Sequence, residues 1–281
     1  MSTGLEPLLM PPSADGDALS DNARTGIYVR LKDRLVVFAG IGAVSVTAWA
    51  YMIYMYVQMG SMHGMEDMWM APTGGAPWAL IDFWLTFSMW AVMMVAMMAP
   101  SSVPMVTMFA TINRRRRANR QAYVPPAVFV IGYLLAWMAF AAAVTLLQWP
   151  LHSYALLTPM MDNASTSLAA VVLLAAGVYQ LTPLKDACLT KCQTPVAFLM
   201  TRWRDGVGGA LQMGLRHGAY CVGCCWAVML VMFAVGVMNL LWMALIALFV
   251  LLEKVLKSWS RPLRVGSGVL LIGWALWLIS G

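Results

Sequence analysis

Apolar residues in this chain run in long blocks separated by short polar stretches, and few positions alternate. A bilayer core about 30 Å thick takes roughly 20 apolar residues as a helix. Seven stretches approach or exceed that length, near 35–57, 79–99, 125–148, 166–184, 209–235, 238–254 and 264–280, the last two being the short ones. The second is followed by Pro100-Ser-Ser-Val-Pro104 and a further apolar run to Ile112. That total is too long for one straight span, and the two prolines predict a kink or an unwound segment. No internal repeat is visible.

The charges set the expected orientation. All 18 Lys and Arg fall in four patches, 24–34, 114–120, 185–216 and 254–264. Basic loops stay on the cytoplasmic side. Seven spans put all four patches on one side, so the expected fold is all-α, a polytopic transmembrane helix bundle with its N-terminus cytoplasmic and C-terminus external. The loops near 58–78, 149–165 and 235–238 are then external. Residues 1–34 read as a flexible polar and basic cytoplasmic tail without the apolar core of a signal peptide, and 35–281 as the seven-helix domain.

Composition narrows the class. Of 281 residues, 61% are apolar and 11% charged, with mean hydropathy +0.73. A soluble domain carries about 25% charged residues, so a water-soluble enzyme is excluded. The five Cys are too few for a disulfide scaffold of this length. The net charge of +6 fits an anionic inner leaflet and membrane lipid as neighbours, and gives no reason to invoke nucleic acid. No nucleotide, haem or hydrolase motif is present, and the reading is a binding protein rather than an enzyme.

Three features carry candidate chemistry. Cys188-Leu-Thr-Lys-Cys192 places two thiols at i, i+4, on one face of a helix. Further on, His217, Cys221 and Cys225 follow at i, i+4, i+8, with Cys224 beside Cys221. Thiolate and imidazole suit Cu(I) and Zn(II). Gly214-x-x-x-Gly218 on the same stretch is a seam for a close helix neighbour. Arg216 is a candidate to balance thiolate charge. Glu253 either salt-bridges Arg216 or, with Lys254, forms a snorkelling pair at a span end. The third feature is the external run holding Met59, Met62, His63, Met65, Met68 and Met70. Thioethers need no deprotonation and resist an oxidising compartment, so this loop is a possible external metal contact for copper. The row Met89, Met93, Met97, with Met94, Met98 and Met105 on an adjacent face, is either core packing or a continuation of that theme. His152 reads as an interfacial side chain in an aromatic belt with Trp149 and Tyr154, and Asp82 as the outer boundary of its span.

Four blocks carry a family resemblance. These are Met97-Met-Ala-Pro-Ser-Ser-Val-Pro104, Tyr179 through Cys192, Gly214 through Trp226, and Gly236 through Ala244 with Glu253-Lys254. Over roughly residues 80–280 the chain resembles the DUF2182 family, bacterial integral membrane proteins described as predicted metal-binding and sometimes labelled copper chaperones. The resemblance implies metal binding by Cys188, Cys192, His217, Cys221, Cys224 and Cys225. At most four bind one ion, and Cys188, Cys192, Cys221 and Cys225 are the first choice, with Cys224 and His217 as exchange or supporting groups.

The expectation is a multi-pass protein of the bacterial inner membrane that binds a soft metal, Cu(I) first and zinc second. It would act in metal transfer, in transport, or in delivery to a membrane cuproenzyme or soluble copper carrier. The rival readings are a membrane thiol-disulfide oxidoreductase and an accessory structural subunit of a membrane enzyme complex.

Overall fold

The computed structural model describes residues 14–59, 71–72, 76–158 and 165–280. The described chain is all-α. Its principal helices are α1 (Ala14–Met59), α2 (Leu80–Ala118), α3 (Pro126–Ser153), α4 (Thr166–Leu181), α5 (Pro183–Gln193), α6 (Pro195–Arg202), α7 (Gly206–Leu230), α8 (Met232–Val235), α9 (Leu240–Val255) and α10 (Ser260–Ser280). Helix α1 begins at Ala14, inside the segment expected as a polar tail. Five helical stretches are long and apolar enough to cross a membrane: 35–58, 80–118, 126–153, 206–235 and 257–280. The pair α4 and α5, bent by 65°, is either a sixth, broken span or a re-entrant loop. The expected stretch at 238–254 folds as α9, a helix of 16 residues. At about 1.5 Å per residue that is roughly 24 Å, less than a bilayer core.

Two corrections concern proline. Helix α2 runs through Pro100 and Pro104 without a break, so the segment is not unwound. Pro100 has no N–H to give to the Ala96 carbonyl, and the Trp49 indole of α1 donates to that carbonyl instead, at 3.0 Å. Ser101 and Ser102 donate to the Met98 and Ala99 carbonyls at 2.9 and 2.7 Å. These hydroxyls and the neighbouring indole supply donors to the turns that the prolines weaken. At Thr182-Pro183 the opposite happens. A residue before proline is pushed out of the helical region, and Thr182 is extended at φ −73°, ψ 148°. It ends α4, starts α5, and turns the chain so that α5 packs on α7. The fourth expected span, 166–184, thus ends at Leu181.

Helices α3 and α7 pack most intimately. A Cβ on Gly214 would lie 2.0 Å from the Phe129 carbonyl oxygen, and one on Gly132 2.2 Å from that of Leu211. On Gly218 it would meet the Tyr133 carbonyl at 2.8 Å. The Gly214-x-x-x-Gly218 seam is therefore a backbone-to-backbone contact, and it brings Tyr133 against the thiol stripe of α7.

Charge inside the bundle is paired. Lys185 and Glu253 are fully buried and 2.7 Å apart, and Gln180 also accepts from Lys185. Glu253 thus pairs with Lys185 on α5 and not with Arg216, which lies exposed on α7. Lys185, counted within a basic patch, is in fact a core residue. Other ion pairs join the patches to each other: Arg116 with Asp205 at 2.5 Å and Arg264 with Asp186 at 3.2 Å. His152, in the last turn of α3, is buried against the protein. The Trp90 indole donates to Gln148 Oε1 at 2.6 Å, which turns the Gln148 amide nitrogen toward His152 Nε2 at 3.1 Å. Nε2 then accepts, and a neutral ring carries its proton on Nδ1. Asp82 sits in the first turn of α2, where Ala79 N donates to its carboxylate at 2.7 Å. Met89, Met93, Met94, Met97, Met98 and Met105 are all buried, as packing requires.

The seam can be checked directly. Gly214→Val forces a side chain onto backbone atoms that no rotamer can relieve. Overpacking of this kind costs about 1–3 kcal/mol or more, so the melting temperature in mild detergent should fall by roughly 5 °C or more. A Cβ on Gly42 meets nothing within 4 Å, and Gly42→Val should leave the melting temperature unchanged. Equal behaviour of the two variants would refute the close seam.

Candidate metal centre

The bend at Thr182-Pro183 and the α3–α7 seam converge on one cluster. Cys192 of α5 and Cys224 of α7 stand with their sulfurs 4.0 Å apart. Cys192 also interacts electrostatically with Cys221, and Cys225 with Cys224. Cys188 lies one turn before Cys192, and its sulfur would be 2.9 Å from a Cβ on Gly223. Glycine at 223 therefore lets α5 settle against α7 at this level. All five cysteines are free thiols. Cys221, Cys224 and Cys225 are buried, while Cys188 and Cys192 are half-buried.

The contact between helices falls on Cys224, which the first choice of four held as an exchange or supporting group. The sulfurs that meet across the two helices are those of Cys192 and Cys224; Cys221 and Cys225 lie beside Cys224 on α7, and Cys188 stands over Gly223. Helical spacing gave the stripe on α7 but not which sulfur faces α5. His217, one turn before Cys221, is buried among rings. Its centroid lies 5.7 Å from Tyr133, 5.8 Å from Phe198 and 6.1 Å from Phe129. Its Nδ1 has no hydrogen-bond partner among the described residues.

The cation at the cluster is Lys254, the last-turn lysine of α9. Its Nζ donates to Cys221 Sγ at 2.8 Å and to Ser101 Oγ at 3.0 Å. The Tyr133 hydroxyl lies 3.1 Å from the same sulfur and donates to the Met98 carbonyl at 3.0 Å. So the charge expected from Arg216 comes from Lys254. Lys254 is half-buried and directed at the thiols rather than snorkelling outward. Sequence reasoning missed Lys254, Tyr133 and Ser101. The available signal was a lysine directly after a glutamate in an otherwise apolar run, which asks for two separate partners.

Thiols hydrogen-bond along their own helix here. Cys224 and Cys225 each donate to the Cys221 carbonyl, at 3.1 and 2.9 Å. Among the described residues no three His, Cys, Asp or Glu side chains stand in a ready metal-holding arrangement. The donor set nonetheless fits a soft ion. Two sulfurs each about 2.3 Å from one ion stand about 4.0 Å apart when the angle between them is trigonal. The Cys192–Cys224 separation matches that value. Met62, His63, Met65, Met68 and Met70 of the expected external site lie outside the described residues, and Met59 closes α1.

No curated protein and no solved structure matches the chain. The family described as PpoB2, copper chaperone, formerly DUF2182, matches residues 87–278. That span contains every cysteine, Tyr133, Ser101, Lys185 and the Glu253-Lys254 pair. The chain belongs to the PpoB2 copper chaperone family.

Proposed function

We propose that this protein is a multi-pass bacterial inner-membrane carrier of Cu(I), which it holds at the thiol cluster and passes on to a membrane cuproenzyme or a soluble copper carrier. The observation that carries the reading is the meeting of Cys192 and Cys224 from separate helices, 4.0 Å apart. Copper chaperone family membership supports the choice of metal. The ion's ligands are Cys192, Cys221 and Cys224, with Cys225 as the fourth sulfur in reach. Cys188 and His217 flank the route to it. To bind, Cys224 gives up its bond to the Cys221 carbonyl and its proton leaves. A site built from several exchangeable sulfurs favours transfer, because each ligand can be replaced in turn without freeing the ion.

The orientation follows the same proposal. Seven spans, counting the bent α4–α5 pair and the short α9, put the N-terminus in the cytoplasm and the C-terminus outside. The ion pairs that tie the basic patches together at Arg116–Asp205 and Arg264–Asp186 support a common side for them. The Met/His loop from Met59 to Met70 then faces outside and collects copper there. A thiol-disulfide exchange role would use the same Cys192 and Cys224, and counting free thiols with and without chelator separates it from metal carriage.

Two experiments follow. Cys221→Ser in the purified full chain should lower bound copper to near background, measured as metal per protein in mild detergent. An unchanged stoichiometry removes the cluster from the site. Replacing Met62, His63 and Met65 together by Ala should slow copper uptake from the outer face while leaving the cluster able to fill. Loss of the inner site in that variant would mean a single shared site.

A further inference from the structure

A lysine inside an apolar bundle is costly unless an anion or polar group receives its charge. The carboxylate next to Lys254 in sequence, Glu253, is committed to Lys185 at 2.7 Å. Lys254 points elsewhere, at the Cys221 sulfur, 2.8 Å away. Ser101 holds it there. The Ser101 hydroxyl gives its proton to the Met98 carbonyl at 2.9 Å, so its oxygen is left to accept from Lys254 at 3.0 Å. The basic residues nearest the thiols in sequence, Lys191 beside Cys192 and Arg216 before His217, are both exposed. The structure therefore places one fixed positive charge, from a third helix, directly on a sulfur of the thiol cluster.

We infer that Lys254 determines which class of ion the cluster takes: its fixed charge admits a soft monovalent ion and penalises a divalent one. The inference rests on the metal-binding reading above and names the ion class of that same site. Sulfur ligands alone do not make this choice, since thiolates hold Zn(II) as well as Cu(I). An ion bonded to Cys221 at about 2.3 Å lies no more than about 5 Å from the ammonium, given the 2.8 Å contact. At that range, with an effective dielectric of about 20, each unit of positive charge on the ion lowers affinity on the order of a hundredfold. A divalent ion meets twice the repulsion of a monovalent one. The ratio of affinities is thus tilted roughly a hundredfold toward the monovalent ion. Lys254 acts through space on the ion and need not touch it.

The test measures a ratio. Dissociation constants for Cu(I) and for Zn(II) are determined by chelator competition on the full chain in mild detergent, for the wild type, Lys254→Met and Lys254→Arg. Lys254→Met should raise affinity for Zn(II) relative to Cu(I) by about a hundredfold. Lys254→Arg, which keeps the charge, should hold the wild-type ratio. A side chain that only packs would weaken both ions together, so an unchanged ratio in Lys254→Met overturns the inference. If that variant does not fold, Lys254→Gln removes the charge while keeping a donor for Ser101, and the same ratio decides. Wild-type protein that binds neither ion overturns the metal-binding reading and this inference with it. Wild-type protein that binds Cu(I), with a ratio indifferent to position 254, overturns the role of Lys254 alone.

Discussion

An ammonium and a sulfur in contact, Lys254 on Cys221 at 2.8 Å, set the constraint around which this bundle is arranged. Charge is expensive among apolar helices, and α9 carries two opposite charges in succession at its inner end. They face different helices. Glu253 grips Lys185 of α5, and Lys254 grips Cys221 of α7. Because α5 and α7 supply the two halves of the thiol cluster, one short helix holds both halves in place. Breaking the Lys185–Glu253 contact would leave an unpaired charge buried in the bundle, which costs several kcal/mol. The cost of burying these groups therefore becomes a constraint on where the sulfurs sit.

Local backbone chemistry makes that arrangement reachable. Pro183 ends α4 early and turns α5 back into the bundle. The glycines at 132, 214 and 218 let α3 and α7 touch along their backbones, which delivers the Tyr133 hydroxyl to the Cys221 sulfur. Gly223 does the same for α5, whose Cys188 sulfur occupies the space a side chain would need. Gly236, at φ 96°, closes the turn after α8, and the Asn239 side chain caps α9. None of these residues carries metal chemistry. The glycines at 132, 214, 218 and 223 let neighbouring helices approach closely around the cluster.

The apolar blocks and their approximate ends were legible in the sequence because they depend on length and composition alone. So was the Gly214–Gly218 seam, since a small residue every fourth position marks one helix face. The stripe of His217, Cys221 and Cys225 followed from the same periodicity. What the sequence did not reveal were pairings between helices. Nothing local tells Glu253 to choose Lys185 over Arg216, or Lys254 to choose a thiol over the membrane surface. That α2 does not unwind at Pro100 and Pro104 was hidden for a related reason: the donors there include the Trp49 indole, which comes from another helix. The burial of His152 likewise depends on Gln148 and Trp90, and the second of these comes from α2.

Membership of the PpoB2 copper chaperone family and the meeting of thiols from α5 and α7 point to the same chemistry. X-ray absorption at the copper edge of the Cu(I)-loaded full chain tests it most directly. The account predicts a first coordination shell of two or three sulfurs at about 2.3 Å. A shell of nitrogen and oxygen alone would contradict it.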